Sequence, residues 1–289
     1  MIFLEYSILG IAAGGIYALI ALGFIVIFKA SQTFNFAMGE MMMVAGYLFY
    51  TTAVLLKLDW YYSLCITIAG SILIAVIMER FVLRPMMGRP IIALVMVTFG
   101  VGIMLRGIVP MFFGSEALQI PSLVARDPVI VGQLLIPGKT ARAFLIAVGI
   151  VCGLILYFRY SRIGVALRAT ASDQITSYAM GINVRWIFAF TWIIAAIIGA
   201  IAGILMASVN SLTASLGLVA LNVLAVVILG GLNSIGGVLI AGLIIGWLEA
   251  ITGYLFGSAW RDITPYILAL VVLLVRPHGL FGTKPIERI

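Results

Sequence analysis

Charge is scarce in this chain. Only 9% of its 289 residues are Asp, Glu, Lys or Arg, where a soluble domain carries roughly a quarter. That shortage excludes a soluble globular protein, whose core must be covered by polar surface, and it excludes disorder, which needs many charges and few apolar residues. Cysteine occurs twice, as Cys65 and Cys152, both inside apolar runs, so no disulfide framework or thiolate metal cluster follows. Histidine occurs once, as His278. There is no H-E-x-x-H, no nucleophile elbow and no Walker A lysine motif, which leaves no ground for an intramembrane enzyme or for ATP hydrolysis by this chain. The chain is accordingly expected to bind no cofactor of its own.

What is abundant is apolar surface. The AVILMFWYC residues make up 64% of the chain, with 31 glycines besides. Long uncharged runs, rather than apolar/polar alternation, point to an all-α polytopic membrane protein and not a barrel. The expected segments are roughly 7–28, 41–56, 61–78, 91–105, 143–158, 186–207, 218–231, 237–256 and 265–275. Several are shorter than the ~20 residues that a bilayer core needs. The expectation is therefore eight to nine crossings with one or two short or broken spans, in a single transmembrane domain over 1–289. Glycines at 100 and 102, with Arg106 after them, suggest that the fourth segment bends or only partly crosses. Trp60, Tyr61 and Tyr62 open the third as an interfacial aromatic cluster. Glu5 stands near the N-terminus without a basic region, so the first span is expected to stay in the mature chain.

The net charge of +7 is read as membrane orientation and not as affinity for nucleic acid. With the N-terminus outside, inner loops hold eleven basic residues and outer loops five, Arg106 lying in or near the membrane. That bias favours N-out and C-in. The outer loop, about 115–142, places Val129–Val131 and Leu134–Ile136 around Gly132 and Gln133, the pattern of a small hairpin lid, the alternative being a plain connecting loop. Pairs of glycines four apart, at 10/14, 149/153, 199/203 and 242/246, are suited to close helix packing.

The inner loop, about 159–185, is the most informative stretch. Thr170 to Asp173 has capping-box spacing and Gly181 is placed to end a helix, which predicts a short helix over about 172–180 with Ile175, Tyr178 and Ala179 on one side. Such a helix outside the bilayer suits a groove on a soluble partner, or a resting place on headgroups. At membrane depth, Glu40, following Asn35, and Glu249 are costly unless paired, protonated or facing water. Glu40 is also suited to a helix N-terminus through the dipole, and Glu249 to pairing with Arg106 or a backbone group. Asn210, Ser211 and Thr213 cluster beyond the sixth segment and Asn222 sits inside the seventh. Asn35, Glu40, Asn210, Thr213, Asn222 and Glu249 are the candidates to line a translocation path, or to solvate broken helices.

Five stretches, in order, span nearly the whole chain: GGIYALIALGF (14–24), NFAMGE (35–40), RATASDQITSYAMGI (168–182), ILGGLNSIGG (228–237) and RPHGLFG (276–282). Together they resemble the permease family of branched-chain amino acid ABC importers. The resemblance implies a bacterial inner-membrane subunit that pairs with a second, related permease. Two cytoplasmic ATPases, holding ATP and Mg, would power the pair, and a periplasmic solute-binding protein would deliver substrate. It further implies that the inner-loop helix is the coupling helix, with Arg168, Ser172, Asp173, Tyr178, Ala179, Met180 and Gly181 at the ATPase contact. Met38 stands where many such permeases place His, and Asn233 where Gly is frequent. Importers of urea or short-chain amides share the pattern, so substrate stays open between these classes. An ion-coupled secondary transporter would want midplane acids on broken helices, of which Glu40 and Glu249 offer a thin version. A channel would show a filter repeat or a charged ring, and neither is present.

Overall fold

A computed structural model describes residues 2–86, 89–120, 127–131 and 134–282. In chain order it contains α1 (Ile2–Ser31), α2 (Met38–Tyr50), a π-helical turn (Thr51–Leu55), α3 (Trp60–Ile77) and α4 (Ile91–Phe113). Two strands follow, β1 (Val129–Val131) and β2 (Leu134–Ile136), then α5 (Gly138–Tyr160), α6 (Arg162–Ser172) and α7 (Gln174–Ala179). The chain closes with α8 (Val184–Val209), a 3-10 turn (Leu216–Leu218), α9 (Val219–Gly230), α10 (Ile235–Phe256) and α11 (Ser258–Val275).

Eight helical stretches among the described residues are long and apolar enough to cross a membrane, and Leu216–Gly230 forms a shorter apolar helix. The protein is thus an all-α, multi-pass membrane protein. The fourth segment departs from its expectation: α4 is a continuous helix of 23 residues, with Arg106 and Pro110 inside it. Arg106 finds a carboxylate partner, and a transmembrane helix tolerates an internal proline. The ninth segment starts earlier than its apolar run, because Arg261 and Asp262 belong to α11. β1 and β2 pair antiparallel as the expected hairpin, with Val129 opposite Ile136 and Val131 opposite Leu134. Gly132 and Gln133 lie outside the described residues. Trp60, Tyr61 and Tyr62 are all exposed at the start of α3, as an interfacial cluster requires.

The backbone divides into two compact units. The first comprises Met1–Ile25, Arg126–Ile155 and Leu221–Ile289, the second Val26–Ala125 and Leu156–Ala220. In the first unit α1 and α10 meet backbone to backbone. A Cβ on Gly10 would stand 2.6 Å from the Gly246 carbonyl oxygen, and one on Gly242 would stand 2.7 Å from that of Gly14. Both expected glycine pairs therefore form one seam. Gly15 similarly leaves room for the Phe144 ring of α5. α10 also packs along α11, with a Thr264 to Thr252 hydroxyl hydrogen bond of 2.8 Å between them.

Two of the motif stretches interlock in this unit. Leu280 N–H donates to the Leu229 carbonyl at 2.8 Å. Gly231 and Gly279 both have positive φ, +89° and +78°, and Gly279 has the backbone of Ile228 and Gly231 where a side chain would go. RPHGLFG thus docks on ILGGLNSIGG through backbone, which is why both are glycine-rich.

In the second unit α2 packs against α3, α4, α8 and the Leu216–Leu218 turn. Gly39 admits the Gly217 carbonyl and Gly203 admits that of Met42. The 149/153 pair differs from the other three. Nothing lies within 4 Å of a Cβ placed at either glycine, so their spacing does not mark a helix contact within the described residues.

Candidate translocation and coupling sites

Asn35 shapes the entry to α2. Its Oδ1 accepts from the Ala37 N–H at 3.0 Å, while Phe36 N–H donates to Thr98 Oγ1 of α4 at 3.2 Å. These bonds aim the first turn of α2, and Glu40 in it, at α4. Glu40 is buried at 4% exposure. The Arg106 guanidinium donates to its Oε1 through Nη2. The carboxylate fits because Gly102 and Gly217 have no side chains: a Cβ on either would stand 3.2 Å from it. The first turn of a helix also favours an anion. Glu40 is thus both paired and placed at a helix N-terminus, and Arg106 is given to Glu40 rather than to Glu249.

Glu249, also 4% exposed, has other partners. Tyr17 Oη and Arg261 Nε each donate to its Oε1 at 3.2 Å. Neither partner stood out in the sequence. Tyr17 is one aromatic in a long apolar run, and Arg261 follows Trp260 where an outer loop was expected. The only signal was the cost of a bare carboxylate within a span, which demands a cation somewhere.

The remaining polar candidates each have their own partner. Asn222 Oδ1 accepts from Tyr266 Oη at 2.7 Å. Asn210 follows α8 and its Nδ2 donates to Met206 Sδ at 3.6 Å. Thr213 and Ser215 hydroxyls lie 3.0 Å apart. Between Asn210 and Thr213, Leu212 exchanges both backbone hydrogen bonds with Leu118 at 2.9 Å. A third buried carboxylate, Glu79, was missed; it receives Arg84 Nη2 on both oxygens, at 3.0 and 3.2 Å.

The inner loop forms an elbow of two helices. Ser161 caps α6 by accepting from Gly164 N–H at 2.9 Å. Arg168 Nη1 reaches back to the Phe158 carbonyl at 2.5 Å, which ties α6 to the end of α5. The predicted helix start is corrected. Thr170 belongs to α6, its hydroxyl bonded to the Ala166 carbonyl at 2.9 Å, and Ser172 ends that helix. Asp173 is itself the N-cap of α7, extended at φ −160° and ψ 112°, with Oδ1 accepting from Thr176 N–H at 3.0 Å. An acid at that place serves better as a cap than as the third residue of another's box.

The predicted helix end holds. Gly181 has φ +85°. Its N–H donates to the Tyr178 carbonyl and that of Ile182 donates to Ser177, both at 3.0 Å. That pair of bonds is a Schellman motif, which requires the left-handed glycine. Ser177 is buried, whereas Ile175, Tyr178 and Met180 are 84%, 75% and 80% exposed. Gln174 Nε2 donates to the Ala30 carbonyl at 3.4 Å, near the end of α1.

The family described as "Branched-chain amino acid transport system / permease component" matches residues 7–275. The chain belongs to that family. The high-affinity branched-chain amino acid transport system permease protein LivH of Salmonella typhimurium is 30% identical, over 99% of this chain and 98% of its own length. BraD of Pseudomonas aeruginosa, named as a permease protein of the same kind of system, is 28% identical over 99% and 98%. A solved chain, from "PsaBC from Streptococcus pneumoniae in complex with Fab", is similar at a TM-score of 0.49 and 16% identity, covering 96% of this permease and 93% of that chain.

Proposed function

We propose that this permease is the membrane-spanning subunit of an ATP-binding-cassette importer for branched-chain amino acids, seated in a bacterial inner membrane with its N-terminus outside. One observation carries the reading: the family match runs through all eight long helices. A second, related permease, two cytoplasmic ATPases and a solute-binding protein complete the assembly, and ATP with Mg is held by the ATPases.

The α6–α7 elbow has the form a coupling element needs. Exposed Ile175, Tyr178 and Met180 offer an apolar tip to a groove. The elbow is tied by Arg168 to α5 and by Gln174 to α1. A push on the tip would be passed to the ends of two spans instead of being absorbed by a slack loop. In this mechanism Asp173 and Gly181 set the shape of the element, and the exposed side chains make the contact. The Glu40–Arg106 and Tyr17–Glu249–Arg261 groups keep charge at membrane depth at a tolerable cost, because each carboxylate has a cation.

The test is purification of the tagged chain with its neighbours, followed by reconstitution. Two ATPases and a sister permease are expected to co-purify, and leucine uptake is expected to need ATP and the binding protein. Uptake by this chain alone on an ion gradient would overturn the reading.

A further inference from the structure

Glu249 leaves one oxygen unused. Oε1 has two donors, but Oε2 is fully buried and has no hydrogen-bond partner in the protein. A buried carboxylate oxygen without a donor is costly, and such atoms call for an explanation. Glu249 lines a cavity of about 300 Å³ between α1, α10 and the start of α11, at the small end of the range for small-molecule sites. Arg261 lines the same cavity. Its Nε–H is engaged by Glu249, and the two Nη groups carry four further donors. Leu9, Ala13 and Ala250 supply an apolar wall. The floor cannot recede, because Gly10 and Gly246 already meet backbone to backbone.

These features select a ligand. A bare divalent cation is disfavoured: one free carboxylate oxygen is far from the 6–8 oxygens that Ca²⁺ takes, the lining has no thiol or imidazole for zinc, and Arg261 would repel it. An anion alone would meet Arg261 but leave Oε2 bare. A molecule with an ammonium group beside an anionic group satisfies both, and a short apolar side chain fits the wall.

We propose that the Glu249–Arg261 cavity is a transient site for a zwitterionic α-amino acid, its carboxylate on Arg261 and its ammonium group on the Glu249 carboxylate, which turns to bring Oε2 out of its buried position into the cavity. This inference rests on the reading of the chain as an amino acid permease. It adds a place where the charged backbone of the solute is held while it leaves water, a step that is expensive without partners.

The experiment uses the permease–ATPase complex in nanodiscs, with Cys65→Ser and Cys152→Ser as background and Ser258→Cys as a reporter in the cavity. The rate of modification by a small impermeant thiol reagent is measured with leucine, with isocaproate (no ammonium group) and with isoamylamine (no carboxylate). Leucine is expected to slow modification, and the two half-molecules are not. Glu249→Gln is expected to raise the protecting leucine concentration about tenfold or more, the effect of losing one charge-assisted hydrogen bond. Ala13→Leu, which fills the cavity and leaves the ion pair alone, should abolish protection as well. If the wild-type importer takes up leucine yet leucine gives no protection at any concentration, this site falls and the permease reading stands. If modification instead follows the phosphatidylethanolamine content of the nanodisc and ignores leucine, the ligand is a lipid headgroup and the proposal is overturned. A wild-type importer that takes up no branched-chain amino acid would overturn both.

Discussion

Arg106, two-thirds of the way along α4, donates its hydrogen bond to Glu40 in the first turn of α2. The pair joins the fourth span to the second, with the Glu40 side chain buried and the Arg106 side chain half-buried. Arg106→Ala leaves the buried carboxylate uncompensated, which is expected to cost about 3–5 kcal/mol. Adding Glu40→Gln to that variant should recover a substantial part of the loss. The thermal midpoint of the purified protein in detergent measures both effects, and a double variant no more stable than the single one would refute the pairing.

Glycine substitutions should separate by what each new methyl group meets. Gly39→Ala drives a carbon into the backbone of Gly217, which cannot swing away as a side chain would. About 1–3 kcal/mol of overpacking is expected. Gly149→Ala meets open space and should raise stability slightly, by about 0.5–1 kcal/mol, through helix propensity. Melting curves of the two variants should therefore move in opposite directions.

The left-handed backbone at Gly181 offers a rescue test. Gly181→Val is expected to strain the elbow by about 1–3 kcal/mol and to abolish uptake while insertion and expression persist. Gly181→Asn should restore a large part of uptake, because asparagine tolerates this conformation. Equal uptake by the two variants would show that the shape of the elbow does not matter.

Topology is open to labelling. Asp127 is exposed just before β1, in the loop read as outer. In the cysteine-free background, Asp127→Cys should react with an impermeant thiol reagent in intact cells. Reaction only after the membrane is broken would reverse the orientation.

Most spans were legible because an uncharged run of sufficient length has few alternatives in a chain this apolar. Of the segments that came out too short, those of α4 and α11 were cut at Arg106 and at Arg261–Asp262. A charge reads as the end of a span until its partner is known, and Glu40 and Glu249 lie 66 and 12 residues away from those arginines in sequence. The second helix of the elbow was placed but started at the wrong residue, and α6 before it was not foreseen, since Thr170 and Asp173 each have a plausible capping role and only the helix packed before them decides. The glycine pairs at 149/153 and 242/246 look alike on paper. What distinguishes them is the neighbouring helix, and spacing alone says nothing of that.

The seating of residues 276–282 on the turn between α9 and α10 has a mechanical consequence. With the Leu280–Leu229 bond and the facing glycines at 231 and 279, backbone meets backbone at the centre of that junction, and the Phe281 side chain packs on Gly237 beside it. Should the last span rock during a transport cycle, the short ninth helix must rock with it, as two spokes on a common hub.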